Sequence, residues 1–238
     1  MVTPILPLKM SGALVTRRGE TLLGPVDLEL SAQGFTIVMG PNGAGKTKLL
    51  RALHGIERLA AGDVTWQVPV AQAQDRQAFV FQAPIMLRRS VRENLAYPLR
   101  LRGVARKEAL ARAADWAARV GLGDALDRAA PRLSGGEKQK LALARALIRD
   151  PDIVFLDEPC ANLDGRATRE IEAILKAAQA AGTRIVMATH DMGQARRLAE
   201  DIVFLMHGQI IEKGPAKAFF AGPQTRQAIA LLQGDIVE

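Results

Sequence analysis

The chain has 238 residues and a mass of 25.7 kDa, enough for one large α/β domain or two small ones with a sizeable core. Hydrophobic residues at 48% and charged residues at 24% exclude a disordered or fibrous chain, and the single cysteine, Cys160, excludes an internal disulfide and points to a reducing compartment. The net charge is +7, and aromatics at 4% leave few stacking platforms for single-stranded nucleic acid.

In chain order, Met1 to Met10 carries Pro4 and Pro7 and lacks a signal-peptide layout. Val26 to Leu30 alternates, as a half-buried antiparallel strand does. Phe35 to Met39 is a continuous apolar run ending at Gly40, as a buried parallel strand reads. Phe79 to Phe81, Ile153 to Leu156, Arg184 to Ala188 and Ile202 to Met206 are similar runs. Between them, Thr47 to Leu59, Glu137 to Ile148, Arg166 to Ala180 and Gly193 to Ala199 read as helices. Strands alternating with helices predict an α/β fold with a mainly parallel sheet. Ser90 to Arg132 has no strand signal, and Val104 to Val120 is helical, so a helical insertion is expected there. His207-Gly208 reads as a hairpin turn. No apolar run approaches the ~18 residues that cross a bilayer, so no transmembrane path is expected from this chain alone.

The positive charge is concentrated. Between Arg88 and Arg119 there are nine basic residues against three acidic ones. Such a run reads either as a solvated helical face or as a patch that meets anionic headgroups or an acidic partner.

Gly40-Pro41-Asn42-Gly43-Ala44-Gly45-Lys46-Thr47 matches the phosphate loop GxxxxGK[ST], after a strand and before a helix as the motif requires. Glycines let backbone N–H groups converge on phosphate oxygens, and the following helix adds the positive end of its dipole. Lys46 is placed to reach β- and γ-phosphates and Thr47 to ligate Mg2+. Ile153 to Leu156 runs into Asp157 and Glu158. In a parallel sheet this end lies beside the phosphate loop, which suits Asp157 to the Mg2+ shell and Glu158 to taking a proton from water. Leu133-Ser134-Gly135-Gly136-Glu137 is locally a capping box, with Ser134 as cap and Glu137 at the third helical position. The paired glycines are surplus to a cap. They leave bare N–H groups at a helix start, where an anion can also bind.

LSGGE, the phosphate loop, LDEP and His190 occur together as in the nucleotide-binding subunits of ATP-binding cassette (ABC) transporters, which the chain resembles over about residues 14–214. Ser134 follows Lys46 by 88 residues, Asp157 follows Ser134 by 23, and His190 follows Asp157 by 33, as the family spaces them. The resemblance implies a P-loop NTPase core at about 1–81 and 151–214, with an N-terminal antiparallel β subdomain. It implies a helical subdomain inserted at about 83–150 and a helical tail at about 215–238. It also implies an ATPase using ATP and Mg2+. Gln82 matches the glutamine that senses metal and attacking water, and His190 the histidine that contacts the γ-phosphate. Ala161-Asn162-Leu163-Asp164 resembles the loop that crosses a dimer interface. Two copies would pair head to tail, with Ser134, Gly135 and Gly136 of one holding the ATP of the other.

The implied partners are separate membrane permease subunits and a substrate-binding protein, with no nucleic acid, at the cytoplasmic face of the inner or plasma membrane. The segment Ala83 to Arg102 is where the family receives a coupling helix, and Met86, Leu87 and Tyr97 would supply apolar contacts or core of the insertion. No C-terminal regulatory domain is expected before Glu238. The stretch Gln82 to Gly103 is most similar to ATPases of tungstate and molybdate importers. A soluble cassette acting on nucleic acid and an ATPase driving lipid or lipoprotein release stay open as alternatives.

Two positions depart from the family pattern. Lys48 stands where a second hydroxyl usually contacts the α-phosphate, and either its ammonium lies near that phosphate or it points to solvent. Leu14 to Gly19 lacks the usual adenine-stacking aromatic. Arg18 best matches its place, with Arg17 close enough to compete: either its planar cation stacks on the base, or it is solvated and apolar side chains hold adenine loosely.

Overall fold

The computed structural model describes residues 3–234. The chain opens in the antiparallel pair β1 (Leu8–Arg17) and β2 (Glu20–Leu30). Arg18 and Gly19 join them with φ of 53° and 85°, the two positive values a type I′ hairpin turn requires. The buried strand β3 (Phe35–Met39) then feeds the phosphate loop and α1 (Lys46–His54). Gly55, in the left-handed conformation with its N–H on the Ala52 carbonyl, ends α1 five residues before the Leu59 expected from sequence. β4 (Ala61–Thr65) pairs with β1 to complete a three-stranded sheet in the order β2-β1-β4. α2 (Val70–Asp75) leads to β5 (Gln77–Val80), which begins two residues earlier than its apolar run suggested.

Three helices follow: α3 (Val91–Leu101), α4 (Arg106–Arg119) and α5 (Gly135–Leu147). The chain then alternates through β6 (Ile153–Asp157), α6 (Gly165–Ala180), β7 (Arg184–Ala188), α7 (Met192–Leu198) and β8 (Asp201–Met206). It turns at His207-Gly208 into β9 (Gln209–Pro215) and ends in α8 (Ala216–Ala221) and α9 (Arg226–Gln233). The last four residues of the expected tail, 235–238, lie outside the described residues.

The main sheet has the order β5-β6-β7-β3-β8-β9, parallel from β5 to β8, with β9 antiparallel at its edge. The expected α/β class, with a mainly parallel sheet, an N-terminal antiparallel β unit and inserted helices, is the observed one. β3, β6 and β7 are buried on both faces. Their residues alternate between two apolar clusters: Ile153 and Phe155 pack towards α1 and the small sheet, while Val154 and Leu156 pack towards α5 and α6. A third cluster fills the space between α3, α4 and α5. α5 belongs to two clusters, with Leu143 and Leu147 in the sheet core and Leu141, Ala144 and Ile148 in the helical one. It is the element through which the inserted helices hold on to the sheet.

Register positions the functional loops. Ala188 pairs with Val38 on one side and Asp157 on the other. The phosphate loop, the Asp157-Glu158 pair and His190 therefore leave the sheet at one level, at the carboxyl ends of adjacent strands. Val80 opposite Leu156 brings Gln82 to the same edge. Among the described residues, no helix is long and apolar enough to cross a membrane.

Candidate active site

The phosphate loop can wrap tightly only because of its glycines. At Gly40, with φ of 153°, a Cβ would sit 2.1 Å from the Leu205 carbonyl oxygen of the neighbouring strand. At Gly43, with φ of 82°, the space a Cβ would fill is open. Gly45, at φ of 101°, starts α1, whose first turn has no side-chain cap. α3, α5, α6, α7 and α9 are each capped by a Ser, Thr or Asp side chain, whereas α2, α4 and α8 share the uncapped start of α1 but do not follow the phosphate loop. The uncapped N–H groups of α1 face the loop as an anion site.

The Lys46 ammonium is buried and folds back along the loop. It donates to the Gly40 and Pro41 carbonyls at 2.9 and 3.1 Å and lies 3.5 Å from Glu158 Oε1. The other Glu158 oxygen, Oε2, lies 3.1 Å from His190 Nδ1. Glu158 thus joins the phosphate-loop cation to the histidine at the end of the neighbouring strand. Its backbone has φ of 46°, the left-handed bend that turns the side chain away from that of Asp157. Thr47 Oγ1 donates to Asp157 Oδ1 at 2.9 Å. Asp157 is buried, and burial raises its carboxyl pKa against the lowering effect of the Thr47 hydrogen bond. A hydroxyl and a carboxylate in contact, both hard oxygen donors, fit Mg2+, which takes one or two protein oxygens and fills its remaining positions with phosphate and water. Among the described residues, no group of three His, Cys, Asp or Glu side chains could hold a metal ion.

These groups open on one cleft of about 620 Å3. Of the residues singled out from sequence, Asn42 to Lys48, Gln82, Glu158 and His190 line it. Gly40, Pro41 and Asp157 lie behind that lining, on Lys46 and Thr47. Arg18 does not line the cleft: it is exposed at the tip of the β1–β2 hairpin, and Leu22, in β2, lines the cleft instead. Leu22 carried no signal in the sequence, being one apolar residue of a strand. Lys48 lines the cleft but is already paired, its ammonium 3.1 Å from Glu57 Oε2.

A family model described as ABC transporter matches residues 23–161. The phosphate import ATP-binding protein PstB 2 of Natronomonas pharaonis is 39% identical over 92% of this chain and 84% of its own. The chain belongs to the ABC transporter family. The tungstate uptake system ATP-binding protein TupC of Peptoclostridium acidaminophilum is also 39% identical, over 85% of this chain and 94% of its own. Among solved structures, the ATP-binding cassette MJ0796, a dimer in a post-hydrolysis state with ADP and Pi, matches 88% of this chain and 98% of its own at 25% identity, with a TM-score of 0.78. The protein is accordingly an ABC ATPase that binds ATP.

In this ABC ATPase the signature segment lies apart from the chain's own phosphate loop. Ser134, Gly135 and Gly136 line a second cleft with Leu163, Asp164 and Ala167. Asn162, at φ of 61°, lines both clefts. Ser134 caps α5 by accepting from Glu137 N–H at 3.3 Å, while Glu137 Oε2 accepts from Ser134 N–H at 2.8 Å. These hydrogen bonds, with Arg128 alongside, hold the Glu137 carboxyl pKa below its usual value.

A third groove runs between the sheet edge and the inserted helices, lined by Phe79, Phe81, Ile85, Leu87, Tyr97 and Arg145 among others. Ile85 is 75% exposed and was missed in the sequence, whereas Met86 packs into the apolar clusters. Three of the nine basic residues of the run are paired locally: Arg92 with Asp127, Arg102 with Asp75 and Arg112 with Asp150.

Proposed function

We propose that this chain is the ATP-hydrolysing subunit of an ABC importer, working as a head-to-tail pair on separate permease subunits at the cytoplasmic face of the membrane. The contact of Glu158 with both Lys46 and His190 carries the reading, because it gathers a base, a phosphate-binding cation and a γ-phosphate contact at one point.

In the mechanism, the phosphate loop and the α1 N-terminus hold the β- and γ-phosphates, with Lys46 exchanging its carbonyl partners for phosphate oxygens. Thr47, Asp157 and Gln82 would hold Mg2+, which supplies charge neutralisation on the transferring phosphoryl group. Glu158 Oε accepts a proton as the water oxygen attacks the γ-phosphorus, and the bond to the ADP oxygen breaks. His190 holds the γ-phosphate in line for that attack.

The separation of the signature cleft from the phosphate loop supports the pairing: Ser134 to Gly136 are suited to the nucleotide of a second copy. The γ-phosphate would then bridge two chains, so that ATP favours the closed pair more than ADP does. The apolar groove at Ile85 and Tyr97 supports docking of a permease helix. A substrate-binding protein completes the assembly we propose.

For cargo we propose an oxyanion, supported by the tungstate and phosphate relatives. The test is uptake of labelled tungstate, phosphate and methionine in cells whose only copy carries Lys46→Ala. Loss of tungstate or phosphate uptake with methionine unchanged is the expected result. Loss of methionine uptake alone, or loss of none of the three, overturns the oxyanion cargo.

A further inference from the structure

α5 begins at the signature segment and ends beside the groove. In its last turn Arg145 reaches out of the helix and makes two hydrogen bonds to another part of the chain. Its Nη2 donates to the Ile85 carbonyl at 2.8 Å and its Nη1 to Asn94 Oδ1 at 3.3 Å. Asn94, on α3, is fully buried and satisfied on both ends of its amide. Its Oδ1 also accepts from Leu87 N–H at 3.0 Å. Its Nδ2 faces the carbonyls of Leu87, Arg89 and Ser90 at 3.2, 3.3 and 2.9 Å. The loop from Pro84 to Arg89 has no helix or strand of its own, and these two side chains make polar contacts with it at Ile85, Leu87 and Arg89. That loop begins two residues after Gln82 and carries Ile85 into the groove. Among the described residues no carboxylate lies within ion-pairing distance of Arg145, so amide oxygens are its partners, and burial lowers its pKa.

We infer that Arg145 and Asn94 form a latch that fixes the tilt of the signature helix relative to the Gln82 loop, and so sets whether Ser134 to Gly136 can reach the nucleotide of a second copy. They are positioning residues, acting through α5 and the loop rather than touching ATP. A helix of this length spans ~20 Å, so a small tilt at Arg145 is magnified at Ser134. The latch has a geometric requirement that guanidinium meets and ammonium does not: two donors in a fixed fork, one for the loop carbonyl and one for Asn94. The inference rests on the head-to-tail reading.

The test uses the full chain in a Glu158→Gln background, with ATP-driven dimerisation followed by sedimentation and ATP affinity of the monomer measured separately. Arg145→Lys keeps the charge but serves only one partner, and Asn94→Ala removes the other half of the latch. With a charge-assisted hydrogen bond lost, each is expected to weaken dimerisation by about tenfold while monomer ATP affinity stays within about twofold. Unchanged dimerisation in both variants overturns the latch. Equal loss of monomer ATP binding also overturns it, because the two residues then serve the fold alone. If the Glu158→Gln parent itself does not dimerise with ATP, the head-to-tail reading fails and the latch falls with it.

Discussion

The Lys48 ammonium lies 3.1 Å from Glu57 Oε2, across the Gly55 turn that ends α1. A lysine in the first turn of a helix opposes the helix dipole, and the anion that offsets it here belongs to the chain itself. Neither of the two placements expected from sequence, at the α-phosphate or in solvent, included this partner. The pair separates two accounts of ATP affinity. If Lys48 serves mainly to neutralise Glu57, Lys48→Thr leaves that carboxylate unpaired next to a residue of the cleft lining and weakens ATP binding severalfold. The double variant Lys48→Thr/Glu57→Gln then restores it. Titration of the wild type and both variants with ATP checks this, and a double variant as weak as Lys48→Thr assigns the ammonium directly to phosphate.

Arg18 sits at a position that favours Asn or Gly, since its φ is positive and Gly19 follows it. Arg18→Asn is expected to raise the melting temperature slightly, and Arg18→Ala to leave ATP affinity unchanged, because the side chain lies outside the cleft lining. Weakened ATP and GTP binding in Arg18→Ala, recovered in Arg18→Tyr, reinstates it as the base platform.

Ser134 combines a cap with a proposed contact to the partner copy's ATP, and the two can be separated. Ser134→Ala removes the cap and costs about 1 kcal/mol of stability. Ser134→Asp is also a good cap, so denaturant unfolding should leave it near wild type. Its negative charge, however, would face a phosphate in the closed pair, and steady-state ATPase is expected to fall. An active Ser134→Asp limits the residue to capping.

Strand runs and motifs were legible because they are local. A buried parallel strand must be apolar on both faces, and a phosphate loop must carry its glycines, lysine and hydroxyl consecutively. β1 and β4 were not legible: Ala61 to Thr65 is short, mostly exposed and without an apolar run, and it is a strand through its pairing with β1. α3 was hidden by Pro98 within it, although Ser90 and Glu93 form a capping box at its start. Site geometry was legible as far as strand ends go. Pairings between distant side chains, Lys48 with Glu57 or Arg145 with Ile85, depend on packing that no local pattern encodes.

His54 stands at the end of α1, edge-on to Phe79 and Phe155, and its burial lowers its pKa from 6.5 to about 4. The folded state keeps it neutral while the unfolded chain protonates it near its ordinary value. Its contribution is therefore fully present above pH 6.5 and is lost as pH falls towards 4, by about 3 kcal/mol in all. His54→Phe should remove that part of the slope, so that wild type and variant converge at neutral pH and diverge below it. Parallel stability-versus-pH curves from urea unfolding would show that His54 is not the group responsible.

The measurement that bears most directly on the assignment is ATP turnover by Glu158→Gln. Glutamine keeps the size and hydrogen bonding of Glu158 but has no basic oxygen to take the proton of the attacking water. Turnover is expected to fall by about 10²–10⁴-fold, with ATP affinity retained and an ATP-dependent dimer accumulating. Wild-type turnover in Glu158→Gln would contradict the account at its centre, because the group joining Lys46 to His190 would not be the base.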